Sequence, residues 1–332
     1  MKKIKIWQIL FLLFLITATG YILTQGPSYQ NKSGKIFGTY YNIIYQHAEE
    51  LTPHIESVLQ AVDNSLSPFN KQSIITAINE NRDTPLDSMF LRVFTISQHI
   101  SKLTDGAFDI TVAPLVNAWG FGYKNGIATD SATIQKLLQY TGYNTIAYNN
   151  GKIVKQHPET QLDCSAVAKG YACDQVARML ERKGCNNFMV EIGGELVTKG
   201  KNNKGNDWVI GINKPIEGGA AGELQERLHI SGKSMATSGN YRNYRYENGK
   251  KVSHTIDPRT GYPVEHSLLS ATVIADDCAT ADALATAFMV MGVEKAMQFC
   301  NDNSNIDAFF IYSDSIGNFA TIESKGLNNY RR

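Results

Sequence analysis

Cysteine is scarce in this 332-residue chain, with five in all: Cys164, Cys173, Cys185, Cys278 and Cys300. No two of them form a C-x-x-C pair, so spacing excludes a zinc site or a thioredoxin-type motif. An odd, scattered set is no disulfide framework either; small buried hydrophobes are expected, with a single pairing left open. A surplus of one charge is also lacking, since 32 basic and 31 acidic residues leave a net charge of +1. No run of five or six like charges occurs. That excludes the basic stripe of a nucleic-acid binder and a charged disordered tail. Nucleotide-binding motifs are missing as well. Gly232-Lys233-Ser234 resembles the end of a P-loop, but position 227 would then need glycine and holds Arg227. No G-x-G-x-x-G lies between a strand and a helix, so Walker and Rossmann sites are excluded. No internal repeat or low-complexity segment is visible, which excludes a solenoid.

One long apolar run is present, at the N-terminus. Lys2, Lys3 and Lys5 precede "IWQILFLLFLITATGYIL", Ile6 to Leu23. About 18 residues is marginal for a bilayer span and long for a signal-peptide core. The lysines should stay cytoplasmic and send the rest outward. Ala18-Thr19-Gly20 is a weak cleavage site. Residues 1–25 are therefore read as a signal peptide or an uncleaved membrane anchor. The expected location is the outer face of a bacterial cytoplasmic membrane or the periplasm, with residues 6–24 as the anchor. Residues 26–36, "GPSYQNKSGKI", read as a polar linker, and 37–325 as the folded domain.

At 43% hydrophobic and 19% charged residues, that domain can build a substantial core. "FGTYYNIIYQ" reads as a strand. Thr52-Pro53 opens a helix with Leu51, Ile55, Val58, Leu59 and Val62 on one face. A second helix carries Met89, Val93, Ile96, Ile100 and Leu103 and stops before Gly106. "TDGAFDITVAPLVNAWGFG" reads as a Gly- and aromatic-rich loop. A helix near 130–139, a hairpin at Asn149-Asn150-Gly151 and a helix beginning near Ala168 follow. Strands "NNFMVEI", "DWVIGIN" and "LLSATVIA", a helix over 278–291, and "EKAMQFC" with "DAFFIYS" close the chain. Strands joined by both hairpins and helices predict an α+β fold. Mixed or antiparallel sheets flanked by helices, in two intimately packed halves, are expected.

Three constellations carry chemistry. In "LDCSAVAKGYACDQVA" a lysine and a glycine stand near a helix start, where unpaired N–H groups and the dipole attract anions. Lys169 is unfavourable there unless it faces a bound anion, Gly170 admits a ligand to the backbone, and Asp163 could accept from a ribose or flavin N–H. The duller reading is a surface lysine on an amphipathic helix. In "ADDCATADALATAFMVMG", Asp282 and Thr286 lie four apart on one helix face. A carboxylate with a hydroxyl suits Mg²⁺, although the pair could simply hydrogen-bond across a helix turn. "SHTIDPRTG" offers His254 and Asp257 in a loop as a general base, or merely an Asp-Pro turn with an exposed histidine.

Together these segments resemble the ApbE-type FAD:protein FMN transferases. The likeness runs from about Phe37 to about Asp307 and rests on eight motifs in the family's order. They are "FGTYYNI", "LSPFN", "TDGAFDITVAPLVNAWGFG", "LDCSAVAKGYACDQVA", "FMVEIGGEL", "GKSMATSGNYRNY", "SHTIDPRTGYPV" and "TADALATAFMVMG". The resemblance implies Mg²⁺ ligands at the Ala166 carbonyl, Asp282 and Thr286, with the Ala285 carbonyl nearby. It implies FAD contacts at Ala107, Phe108, Asp109, Asp163, Lys169 and Ile256. Phe37 stands where methionine is usual and Phe69 where tyrosine is common; both still offer an apolar face. His254, or less favourably Asp257, takes the base's place. The implied reaction moves FMN from FAD to a threonine or serine of an exported or membrane redox protein and releases AMP. Rival readings are an FAD pyrophosphatase using water and a non-catalytic flavin binder. A lipid-attachment cysteine after the apolar run is absent, so anchoring through a lipid is not implied.

Overall fold

The computed structural model describes residues 6–24, 28–123, 126, 129–215, 223–240, 244–247 and 250–331. Helix α1 (Ile6–Thr24) leads the chain, and Ile6, Trp7 and Leu10 to Ile16 are exposed on it. Among the described residues no helix is long and apolar enough to cross a membrane. Strand β1 (Tyr29–Ile36) follows, which corrects the expected linker over 26–36. It pairs antiparallel with β2 (Thr39–Gln46) along its whole length. Polar residues such as Gln30, Asn31 and Lys32 suit this position because β1 is an edge strand, with one side unpaired in the sheet.

Helices α2 (Thr52–Leu66), α3 (Ile74–Asn79) and α4 (Ser88–Leu103) come next. Helix α2 buries Ile55, Leu59 and Val62 as the spacing predicts. Ser73 and Asp87 cap α3 and α4 by accepting from the third N–H beyond them. The segment read as a loop after Gly106 is instead largely helical. Asp109 starts a short 3-10 turn (Ile110–Val112) that runs into α5 (Ala113–Ala118). Two signals were available there: an aspartate two residues before the N–H that donates to it, and Pro114 in a first turn. Helix α6 (Ser131–Leu138) and the hairpin β3 (Ile146–Asn149) and β4 (Lys152–Lys155) fall as expected.

Helix α7 (Ser165–Arg182) begins three residues earlier than the sequence suggested. Strands β5 (Phe188–Ile192), β6 (Glu195–Lys199), β7 (Trp208–Asn213), β8 (Leu224–Ile230), β9 (Ser234–Gly239), β10 (Tyr244–Glu247), β11 (Lys250–Ser253) and β12 (Leu268–Ala275) follow. Helices α8 (Cys278–Met291) and α9 (Val293–Asp302) precede β13 (Asp307–Ser313) and β14 (Phe319–Glu323). Eight strands form one sheet in the order β1-β2-β5-β6-β9-β12-β13-β14. Every pairing between named strands is antiparallel, so the sheet is antiparallel rather than mixed.

In the middle of the sheet, β6 and β9 share only a short register of Leu196 opposite Met235 and Val197 opposite Ser234. One sheet face buries Ile43, Val190, Ala271 and Val273 under α2, α4, α7 and α8. The other packs Leu196, Met235, Ile274 and Phe309 against the β7–β8 hairpin. All five cysteines are free and buried, as small hydrophobes should be.

Candidate active site

Helices α7 and α8 cross at Gly170. A Cβ built there would lie 2.2 Å from the Cys278 carbonyl oxygen and 2.8 Å from the Asp282 Cβ, so only glycine permits the contact. At this crossing the Gly170 N–H donates to Asp282 Oδ2 at 2.9 Å. In a regular helix that N–H would bond the carbonyl four residues back, which is Ala166. Asp282 therefore competes for the donor of the Ala166 carbonyl. One turn further along α8, Thr286 Oγ1 lies 3.2 Å from Ser238 Oγ of β9.

Asp282 is 2% exposed. Its other oxygen, Oδ1, sits 3.7 Å from Lys169 Nζ, and the same ammonium lies 2.9 Å from Glu195 Oε1. Lys169 is thus in the second turn of α7, facing carboxylates, and not in a first turn as expected. Burial lowers the pKa of its ammonium, but the Asp282 and Glu195 charges outweigh that and hold it above its ordinary value. Burial pushes the Glu195 carboxyl up to about 7, against the pull of Lys169. Glu195 was missed in the sequence. Its available signal was an acidic residue directly after Gly193-Gly194, both at positive φ, at the start of a buried strand.

A cavity of about 860 Å³ opens beside this cluster. It is lined by Phe37, Phe69, Ala107, Phe108, Asp109, Asp163, Ala166, Lys169, His254, Ile256, Asp282 and Thr286. Residues named from the sequence across about 250 positions thus converge on one space. Two named residues do not border it. Ala285 is fully buried inside α8. Asp257 is gripped by its neighbour Arg259, with Nε to Oδ1 at 2.9 Å and Nη2 to Oδ2 at 2.8 Å. That leaves His254 facing the cavity from the same loop, edge-on to Phe121 at 6.3 Å. The loop is fixed from below, where Trp119 Nε1 donates to the Gly261 carbonyl at 2.8 Å and Ile256 packs with Leu115 and Trp119.

Two aspartates and two aromatics also line the cavity. Asp109 accepts from the Thr111 N–H and hydroxyl at 2.8 and 2.7 Å, yet burial still pushes it up to about 6. Asp163 accepts from the Ser165 N–H at 2.8 Å, and burial raises it too. Phe69 is 70% exposed and meets Tyr123 edge-on at 6.2 Å. Phe37 occupies the two-residue turn between β1 and β2 with φ 52°, followed by Gly38 at 72°. Such turns favour Asn or Gly at both central positions. The other described non-glycine residues at positive φ are Asn81, Asp105 and Asn150. A phenylalanine held there stores backbone strain.

The ApbE family model matches residues 37–310 of this chain. The chain belongs to the ApbE family. The FAD:protein FMN transferase of Haemophilus influenzae is 36% identical over 301 residues, covering 85% of this chain and 86% of the relative. That of Escherichia coli K12 is 37% identical over 279 residues, 80% and 79% of the two chains. Among solved structures, the flavin transferase ApbE of Vibrio cholerae superposes with a TM-score of 0.82 at 33% identity, covering 91% of this chain and 99% of that one. The apo flavinyl transferase ApbE of Pseudomonas stutzeri gives 0.82 at 30% identity, covering 92% and 98%. The sheet order and the α7–α8 crossing described above are therefore ApbE architecture.

Proposed function

We propose that this chain is an FAD:protein FMN transferase that uses Mg²⁺. The observation that carries the reading is the convergence of a flavin-sized cavity, a paired carboxylate–hydroxyl on α8 and a histidine loop on one space. The oxygen set fits a hard divalent cation. Ala166, Asp282 and Thr286 all border the cavity; Asp282 Oδ2 is taken by the Gly170 N–H, whereas Oδ1 has only the Lys169 ammonium at 3.7 Å as an ion-pair partner among the described residues. Bound there, Mg²⁺ would offset the negative charge of the FAD diphosphate.

The remaining roles belong to the chain's own residues. Phe37 and Phe69 offer apolar faces to the flavin rings. Asp109, kept partly protonated near neutral pH by burial, can donate as well as accept toward a polar ring edge. His254 takes the proton of an acceptor serine or threonine hydroxyl. That oxygen bonds to the FMN phosphorus, the bond from this phosphorus to the AMP oxygen breaks, and AMP leaves. The acceptor is a subunit of an exported or membrane redox complex, and α1 holds the enzyme at the outer face of the membrane or in the periplasm. The exposed apolar side chains of Ile6, Trp7 and Leu10 to Ile16 support that location.

The test is incubation with FAD, Mg²⁺ and a candidate acceptor protein, followed by the acceptor's intact mass. The expected result is an added FMN phosphoester that disappears with EDTA and in Asp282→Ala. Free FMN and AMP with an unmodified acceptor would instead establish a pyrophosphatase.

A further inference from the structure

Glu195 has no place in the roles assigned so far, yet its environment is unusual. The residue is 3% exposed, and its Oε2 is buried without a hydrogen-bond partner among the described residues. Leaving a buried carboxylate oxygen unpaired costs free energy that a core position would not retain without return. The other oxygen, Oε1, holds Lys169 Nζ at 2.9 Å, while Asp282 Oδ1 is 3.7 Å from the same nitrogen. Lys169 is therefore drawn to the residue that is not a proposed cation ligand and kept beyond hydrogen-bond distance of the one that is. The Glu195 main chain is itself tied to α7, where Cys173 Sγ donates to its carbonyl at 3.2 Å. Neither Glu195 nor Lys169 can drift far from this arrangement.

We propose that Glu195 is a positioning residue of the cation site: it detains Lys169 and so leaves Asp282 Oδ1 open to a divalent cation. The inference rests on the Mg²⁺ reading above. With Glu195 ionised, two carboxylates and one ammonium leave this buried cluster with a single net negative charge, a favourable setting for a divalent cation in a low-dielectric surround. With the Glu195 charge removed, Lys169 has one carboxylate left to pair with. It closes on Asp282, the cluster becomes neutral, and the ammonium occupies the oxygen that the metal needs. With Lys169 removed as well, the competitor is gone and the single negative charge returns.

These charge states give distinct expectations for the full chain in detergent, titrated with Mn²⁺ and read by electron paramagnetic resonance, without FAD and without turnover. Glu195→Gln should bind Mn²⁺ at least about tenfold more weakly than the native chain. The double variant Lys169→Met/Glu195→Gln should return to within about threefold of native. Lys169→Met alone should bind at least as tightly as native, which keeps the idea testable if Glu195→Gln does not fold. A purely structural Glu195 predicts no recovery in the double variant. Native-like binding by Glu195→Gln, a double variant as weak as the single one, or weakened binding by Lys169→Met overturns the proposal while the Mg²⁺ site stands. A native chain that binds no Mn²⁺ overturns the site and the proposal together.

Discussion

At the scale of single residues, Gly170 and Phe37 connect backbone conformation to the site most directly. Gly170→Ala forces a Cβ into the Cys278 carbonyl, so α7 and α8 must separate. Overpacking of this kind costs about 1–3 kcal/mol, and denaturant unfolding should show it together with weaker cation binding. Full stability in this variant would mean that the crossing relaxes easily. Phe37→Asn places a tolerated residue at φ 52°. Relief of about 1 kcal/mol of turn strain should offset the loss of the half-buried ring, leaving the melting temperature nearly unchanged while FAD affinity falls. An unaltered FAD affinity would remove Phe37 from the flavin wall. Residues that border the cavity were legible where chemistry is written in residue type and local spacing, as with Asp282, Thr286 and His254. Glu195 was not, because its meaning comes from Lys169, 26 positions away and on a different element. Asp257 misled for the opposite reason, since its nearest partner, Arg259, is local and satisfies it.

Elements set the electrostatics around these residues. Asp174 on α7 receives the first N–H groups of α8, from Cys278 at 2.9 Å and Ala279 at 3.0 Å, and so fixes the start of the helix that carries Asp282. Burial nevertheless pushes it from an ordinary 3.8 to about 7. Between those values the folded chain binds more protons than the unfolded chain, so stability falls as pH rises from about 4 to about 7. Asp109 and Glu195, raised to about 6 and about 7, act in the same direction. Thermal melting across that window should show the decline, and Asp174→Asn should make it shallower. An unchanged slope would take Asp174 out of this balance. Most elements could be read from periodicity, such as the buried face of α2 and the 278–291 helix. Strand β1 escaped because an edge strand needs no apolar alternation, and α5 because its glycine and aromatic neighbours suggested a loop.

For the whole molecule, the antiparallel sheet supplies a frame that brings Phe37, His254 and Asp282 around one cavity although they are far apart in sequence. Fold class was legible in the alternation of elements, but the seam between β6 and β9 was not, since two short pairings leave no sequence signature. Helix α1 exposes Ile6, Trp7 and Leu10 to Ile16, so removal of residues 1–24 should leave melting and FMN transfer unchanged while abolishing membrane association. A collapse in stability would show that the helix belongs to the body. The central claim is that a divalent cation at Asp282 and Thr286 grips the FAD diphosphate beside His254. Anomalous diffraction from crystals grown with FAD and Mn²⁺ tests it most directly. A manganese peak should lie between Asp282, Thr286 and the Ala166 carbonyl, in contact with the diphosphate; FAD bound with its diphosphate remote from those residues would refute that grip.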